Sequence, residues 1–256
     1  MTETVQTTLP ATEEPLPPEG LAQYARTGWL AARGFYTPEE TAQISRWTDE
    51  LTVAPEIPGR HWVYREDSLL REGERVIRRI ENFCPFHEGF DRLTSAAAQL
   101  QGGPVVLFKE KATSRCPVAP ASNRIRTSRP AGPPMCRSSS PPSSASTATK
   151  GNGCLRMSDA PRFAGLIGDK WHPLTAEQMT SFALTDVPTE PGDVLFFDSY
   201  VPHASGPNLT SRARRILYLT YNLASHGDHR ALPRRQARQL PADIERIPGR
   251  EYKFKV

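Results

Sequence analysis

Apolar residues recur with a helical period in two stretches of the first half of the chain. Thr37 and Glu40 form a capping box around a proline at the first helical position, and Ile44 and Leu51 follow on one helical face. The stretch FHEGFDRLTSAAAQLQGG has the same character and ends at paired glycines, which favour a helix end. The pattern predicts that helices from residues 21–101 pack outside a core made of later segments.

Short apolar runs bounded by turn residues predict strands further along. PVVLFKEK is apolar until it turns polar at Lys109, and NGCLRM is typical of a turn followed by a strand. VLFF follows the tight turn PGD, and RRILYLTYN is rich in residues that favour strands. We expect strands at 104–110, 193–199 and 214–223. Short strands joined by polar loops indicate a sandwich or barrel, and no glycine-rich nucleotide-binding pattern is present.

The forty residues 111–150 interrupt this alternation. They contain sixteen Ser and Pro residues in total, no Leu and no aromatic residue. Such a composition cannot offset the entropy cost of ordering, so we expect residues 112–150 to be poorly ordered. A structureless insertion of this length inside a compact domain is itself unusual.

The same segment accounts for the basic character of the chain. The formal net charge is +4, but residues 111–150 carry five Arg, two Lys and no acid, and the rest of the chain has a charge of −3. A basic segment without aromatic residues is a poor nucleic-acid binder, so we expect no nucleic-acid partner.

The remaining composition predicts a cytoplasmic protein. No window holds 18 apolar residues, so we expect no membrane partner. Residues 1–20 are acidic and proline-rich without an apolar run, which favours a disordered tail over a secretory signal. The four cysteines show no zinc-site or disulfide spacing. We expect one domain over residues 21–256.

Three polar residues near the end of the apolar pattern are candidates for chemistry. His203 follows the VLFF run in a loop of small residues, Ser205 lies two residues later, and Arg214 begins the next predicted strand. Alone, a loop histidine is usually a surface residue and an arginine a solvated charge. The surrounding PGDVLFFDSYVPHASGPNLTSRARRILYLTYN, however, closely resembles the end of the catalytic core of the phytanoyl-CoA dioxygenase family. The motifs GWLAARGFYTPEE, RIENFCPFHEGF, VVLFKEK, NGCL and SHGDHR resemble that family too, over roughly residues 21–110 and 151–256.

This resemblance implies a mainly β fold with flanking helices, the double-stranded β-helix or cupin-like jelly-roll barrel. It also implies a dioxygenase that hydroxylates a small molecule with Fe(II), 2-oxoglutarate and O₂. In this chemistry two histidines and a carboxylate hold iron and leave positions open for 2-oxoglutarate and O₂. By resemblance, His203 is the second histidine ligand. Arg214 clamps the distal carboxylate of 2-oxoglutarate with help from Ser205, and a planar guanidinium suits that carboxylate.

The other two family ligands form an H-x-D pair on an earlier strand, and this chain lacks it there. No His, Asp or Glu occurs from residue 112 to 151, and the pair is expected at Ile125 and Thr127, which cannot ligate iron. The H-x-D formed by His226 and Asp228 comes after Arg214, in the wrong order for the family.

A shifted reading frame explains the missing pair. If each codon is regrouped from the last base of one residue's codon and the first two bases of the next codon, NRIRTSRPAG permits PHQDEPAGW. Histidine and aspartate then stand at positions 125 and 127, and serine codons of the TCN type become codons for Phe, Leu, Ile or Val.

Two alternatives stay open at this point. Residues 112–150 are either an out-of-frame translation of the ligand strand or a real low-complexity insertion. In the second case the domain has the barrel but has lost its iron, and is a non-catalytic binding module.

Overall fold

The computed structural model describes residues 16–68, 71–91, 100–115, 136–140, 147–168, 174–206, 208–210, 213–231 and 241–252. The helices in these ranges are α1 (Pro18–Thr27), α2 (Pro38–Val53), α3 (Glu88–Asp91) and α4 (Ala176–Thr180). The strands are β1 (Trp29–Ala32), β2 (Trp62–Asp67), β3 (Arg75–Glu81), β4 (Val105–Arg115), β5 (Cys136–Ser140), β6 (Leu155–Ser158), β7 (Leu184–Val187), β8 (Val194–Asp198), β9 (His203–Ser205) and β10 (Arg214–Leu223). Short 3₁₀ turns lie at Cys84–Phe86, Ala224–His226 and Asp243–Glu245.

The strands form two antiparallel sheets. The large sheet has the order β1-β8-β5-β10-β4-β3-β2, and the small sheet has the order β7-β6-β9. One apolar cluster joins them, because it contains Leu195 and Phe197 of the large sheet together with Leu155 and Met157 of the small one. The sheets therefore face each other across a packed interior, as in a jelly roll.

The helices cover the opposite face of the large sheet. Ile44 and Leu51 of α2 share a buried cluster with Phe196 of β8 and with Leu217 and Leu219 of β10. Successive residues of a strand point to opposite faces. Leu217 and Leu219 therefore face the helices, and the residues between them face the interior.

The expected capping box of α2 is present. The Thr37 hydroxyl accepts a hydrogen bond from the backbone N–H of Glu40 at 3.2 Å, and the Glu40 carboxylate accepts one from the backbone N–H of Thr37 at 2.8 Å. The strands expected at 104–110, 193–199 and 214–223 are confirmed as β4, β8 and β10.

Three boundaries differ from the expectations. Leu16 is buried and α1 begins at Pro18, so residues 16–20 are not part of a disordered tail, because proline suits the first turn of a helix; residues 1–15 lie outside the described ranges. The range 21–101, from which we expect helices packed outside the core, also contains β1, β2 and β3. The stretch FHEGFDRLTSAAAQLQGG forms α3 and a helical end at residues 100–101, and residues 92–99 between them lie outside the described ranges.

The structure describes three parts of the segment 112–150, and the expectation of poor order for the segment as a whole stays a prediction. β4 continues to Arg115, residues 147–150 include a bridge between Ala148 and Thr189, and residues 136–140 form β5. The remainder of the segment, including Ile125 and Thr127, lies outside the described residues.

The position of β5 explains why a serine-rich run is a strand. β5 lies between β8 and β10, so both of its edges pair with neighbouring strands. Ser138 is the register partner of Phe196 on one side and Leu219 on the other, and both partners are buried. Backbone pairing with β8 and β10 therefore holds residues 136–140 as a strand, although the neighbouring positions on β8 and β10 belong to the core of the sheet.

Candidate active site

His203 is held in the interior at the start of β9. Its Nδ1 lies 2.8 Å from the carbonyl oxygen of Val201, and its ring centroid lies 5.0 Å from that of Phe197. A carbonyl oxygen only accepts, so Nδ1 is the donor in this contact, and the tautomer that fits it has its lone pair on Nε2. The imidazole is 9% exposed, so its orientation is fixed by packing as well as by this hydrogen bond.

The turn that leads to His203 is fixed by a buried carboxylate. One Asp198 oxygen accepts two hydrogen bonds from the Arg162 guanidinium, at 3.0 and 2.7 Å, and the other accepts one from the backbone N–H of Tyr200 at 2.9 Å. The backbone N–H of Asp198 also donates to the carbonyl of Gly28 at 2.8 Å. Asp198 is thus engaged in holding the connection between β8 and β9.

Arg214 is buried at the first position of β10, with 2% of its surface exposed. Its guanidinium donates a hydrogen bond to the carbonyl of Gly153, in the turn before β6. Ser205 pairs with Leu155 of β6, and a Cβ on the adjacent Gly206 would lie 3.7 Å from Gly153 Cα. The end of β9 and the guanidinium therefore meet at the same turn.

The next residue along β10 points the other way. The Arg215 side chain forms an ion pair with Asp49 of α2, on the helix-covered face. This is the alternation expected of a strand. Arg212, which we also expect to face outward, lies outside the described residues.

The alternative H-x-D pair is not brought to the interior. His226 and Asp228 are exposed beyond the end of β10, and the Asp228 carboxylate accepts a hydrogen bond from the backbone N–H of Arg230 in a local turn. Within the described residues, no three His, Cys, Asp or Glu side chains are grouped as a metal site would require. His203 is the candidate ligand that the described interior offers.

A charged group on β3 and β4 was missed by the sequence analysis. Glu81 is buried and forms ion pairs with Arg79 at 2.9 Å and Lys109 at 3.0 Å. Burial by itself would raise the pKa of the Glu81 carboxyl, but Lys109 and Arg79 hold that pKa below its usual value, so the group is ionised. The signal available in the sequence was the change from apolar to polar residues within VVLFKEK, where the two lysines alternate and so lie on one face of a strand.

A jelly roll with a buried histidine on one strand and a buried arginine eleven residues later has the architecture of the 2-oxoglutarate-dependent oxygenases. The family model for phytanoyl-CoA dioxygenase (PhyH) matches residues 146–216. That match begins within the last part of the anomalous segment and includes His203, Ser205 and Arg214.

Two curated relatives match nearly the whole chain. A 2-aminoethylphosphonate dioxygenase from Uncultured bacterium HF130_AEPn_1 is 30% identical over 244 residues, which cover 91% of this chain and 92% of the relative. A methylphosphonate hydroxylase from Gimesia maris is 30% identical over 250 residues, with 91% of each chain covered. The chain therefore belongs to the phytanoyl-CoA dioxygenase family.

A solved structure supports the jelly-roll assignment. The epimerase SnoN, in complex with Fe3+, alpha ketoglutarate and nogalamycin RO, has a TM-score of 0.61 and 16% sequence identity, with 92% of this chain and 91% of that chain covered. The predicted fold class is confirmed. The family is one of Fe(II)- and 2-oxoglutarate-dependent dioxygenases that use O₂ and act on small molecules, and membership favours an enzyme over a non-catalytic module. In the described part of the chain, no helix has the length and apolar character needed to cross a membrane.

Proposed function

We propose that this chain is the scaffold of a dioxygenase that hydroxylates a small phosphonate, with His203 as a metal ligand and Arg214 and Ser205 as the 2-oxoglutarate site. The observation that carries the proposal is that His203 and Arg214 are both buried and lie at different levels along the same small sheet. His203 pairs with Met157 of β6, whereas Arg214 contacts Gly153, four residues earlier. At about 3.3 Å per residue this separation is on the order of 13 Å, a span that an arginine side chain and a bound diacid can share.

The substrate class is supported by the two relatives, which are named for phosphonates. They match the chain over nearly its full length, so the similarity includes the regions that line the interior as well as the ligand-bearing strands. A long acyl chain is not implied by the family name.

Among the residues that the structure describes, the side chains do not fit an iron centre. One imidazole cannot hold Fe(II) against water, because affinity comes from several pre-organised ligands and their supporting hydrogen bonds. Ile125 and Thr127 have no group that can replace a histidine and an aspartate. We therefore infer that residues 112–150 are an out-of-frame translation, and that the catalytic form carries histidine at position 125 and aspartate at position 127.

The register of β5 supports this inference independently. Regrouping turns the serine codons at positions 138–140 into codons for Phe, Leu, Ile or Val. These positions pair with Leu195, Phe196, Leu217, Tyr218 and Leu219. An apolar strand suits that place, because a central strand of a sandwich is covered on both faces.

The metal assignment is tested by comparing the present chain with a frame-restored chain. We expect negligible iron and no succinate from the present chain, and one Fe(II) per chain with succinate release from the restored one. His203→Ala in the restored chain should abolish both. Stoichiometric iron in the present chain would contradict the assignment, since unidentified ligands would then complete the site.

The 2-oxoglutarate assignment has a matched control in the neighbouring arginine. Arg214→Met should abolish 2-oxoglutarate binding measured by calorimetry, because the planar cation for the distal carboxylate is lost. Arg215→Met removes an arginine that pairs with Asp49 on the outer face and should bind as the parent does. Equal binding by the two variants, each checked for folding by circular dichroism, would remove Arg214 from the site.

A further inference from the structure

A tight turn connects Asp198, at the end of β8, to His203, at the start of β9. The backbone N–H of Val201 donates to the carbonyl of Asp198 at 3.2 Å, which closes a four-residue turn over residues 198–201. The carbonyl of Val201 in turn lies 2.8 Å from His203 Nδ1 and accepts its hydrogen bond. The direction in which this carbonyl points therefore sets the orientation of the imidazole.

The Asp198 side chain holds the same turn at a second point. One of its oxygens accepts a hydrogen bond from the backbone N–H of Tyr200 at 2.9 Å. Asp198 is 1% exposed, and a hydrogen bond to a charged acceptor is stronger than one between neutral groups. The peptide units that lead to Val201 are thus fixed by the carboxylate as well as by the backbone.

Arg162 fixes the plane of that carboxylate. Its Nε and Nη2 both donate to the other Asp198 oxygen, at 3.0 and 2.7 Å. Its own backbone N–H donates to the carbonyl of Arg26 near the end of α1 at 2.8 Å, and its guanidinium carbon lies 5.2 Å from the ring centroid of Tyr24. A rotation of the carboxylate would break the paired hydrogen bonds, because the donors of a guanidinium form a rigid, planar fork.

The connection between α1 and β1 packs directly against this turn. A Cβ at Gly28 would lie 2.7 Å from a methyl carbon of Val201, so the two backbones are in close contact. The indole N–H of Trp29 donates to the carbonyl of Ser158 at 2.9 Å, and the backbone N–H of Ser158 donates to the carbonyl of Pro202 at 3.0 Å. The glycine and tryptophan that begin the motif GWLAARGFYTPEE therefore support the residues immediately before His203.

β8 has a similar charged pair at its other end. Asp193 is 6% exposed, accepts hydrogen bonds from two backbone N–H groups and forms an ion pair with Arg33 at 2.7 Å. Asp193 is five residues from Asp198, or on the order of 16 Å along an extended strand. The two pairs share their chemistry, but only the pair at Asp198 belongs to the turn that carries His203.

We propose that Asp198 and Arg162 are positioning residues for His203. They hold the Val201 carbonyl in the direction that keeps Nδ1 as the donor and Nε2 as the nitrogen with the lone pair. In a histidine that binds a ligand through one ring nitrogen, a partner on the other nitrogen fixes the orientation and the tautomer of the ring. This inference rests on the proposed function for its chemical role, since His203 is the ligand there.

The test follows the imidazole of His203 in the purified chain without metal. Long-range ¹H–¹⁵N spectra at about pH 8, above the ordinary pKa of histidine, report which ring nitrogen carries the proton. The His203→Gln variant identifies the His203 signals, and His226, which is exposed, is the reference for an imidazole in solvent. We expect His203 to prefer the Nδ1–H form by roughly two- to tenfold relative to His226, which is the net contribution of one hydrogen bond. Asp198→Asn and Arg162→Met should each remove most of this preference.

The pair at the other end of β8 supplies matched controls. Asp193→Asn and Arg33→Met break a similar buried ion pair and should leave the His203 signals as in the parent. Urea denaturation of all four variants gives the loss of stability against which the signals are compared. A merely structural role would move the His203 signals in proportion to lost stability, whichever pair is broken.

Two outcomes would overturn the inference and leave the proposed function standing. One is that Arg162→Met, in a folded chain, leaves the His203 signals unchanged; the other is that the controls shift them as far as Asp198→Asn and Arg162→Met do. Arg162→Met decides the question even if Asp198→Asn fails to fold, because the Arg162 side chain is 34% exposed. A correctly positioned His203 in a chain whose frame-restored form neither binds iron nor releases succinate would instead contradict the proposed function alone.

Discussion

Apolar substitutions in β5 should stabilise the protein, which is unusual for a serine-to-aliphatic change. Ser138 is the register partner of Phe196 and Leu219, each 3% exposed, and Ser139 is the register partner of Leu195, which is fully buried. The double variant Ser138→Ile and Ser139→Val places aliphatic side chains at two positions whose register partners on both neighbouring strands, β8 and β10, are apolar or aromatic.

The size of the effect follows from the area that the new side chains bury. Full burial of a Val, Leu or Ile side chain is worth about 1.5–3 kcal/mol, and the compact unfolded chain lowers that figure. We expect the double variant to raise the free energy of unfolding by about 2–5 kcal/mol. For a domain of this size each kcal/mol shifts the melting temperature by roughly 2–4 °C. The expected rise is therefore on the order of 5–15 °C.

Urea denaturation followed by tryptophan fluorescence, together with thermal melts, measures the change. Ser225→Val serves as the matched control, because Ser225 is exposed in the turn after β10, and it should change stability by less than about 0.5 kcal/mol. An unchanged or lower stability in the double variant would mean that positions 138 and 139 are not core positions. The structural support for the shifted frame would then be lost.

Two further predictions concern buried turns. Asp193→Asn should lower stability at neutral pH by about 1–3 kcal/mol, because the carboxylate accepts hydrogen bonds from the backbone N–H groups of Glu190 and Gly34. Burial alone would raise the pKa of Asp193, but these hydrogen bonds hold that pKa below its usual value. The extra stability of the parent is therefore present above about pH 3.9 and falls as the pH drops through the lower pKa of the folded state. Urea titrations across that pH range should show this dependence in the parent and not in the variant. Gly28→Ala should lower the free energy of unfolding by about 1–3 kcal/mol, since φ is +79° at this position and a Cβ would lie 2.7 Å from a methyl carbon of Val201. Thermal melts measure the change, and unchanged stability would contradict this account.

Local patterns were enough to predict several elements of this protein. The capping box at Thr37 depends on residues three apart, and β4, β8 and β10 are short apolar runs whose neighbours along the chain define their ends. The His203 and Arg214 pair was also found from the sequence, because a resemblance fixed their spacing before any contact was known. Their roles as metal and cosubstrate ligands stay predictions.

Other features depend on contacts between residues far apart in the chain. Composition predicts no order for the serine run, yet β5 is a strand because β8 and β10 present unpaired edges on both sides of it. Strand pairing is made by backbone hydrogen bonds, so a partner strand on each side can hold a serine-rich segment as a strand even though its side chains have a low preference for that structure.

The charged inner face is a second feature that only the tertiary structure decides. The sequence shows Glu81, Lys109 and Lys111 as polar residues at strand ends, which are usually solvated. Pairing of β3 with β4 and of β4 with β10 turns them to the interior and joins them to Arg79. The sequence by itself therefore determined the strands β4, β8 and β10 and the spacing of the candidate ligands, because both are local. The burial and mutual distances of the charges come from register between distant strands, which no local pattern encodes.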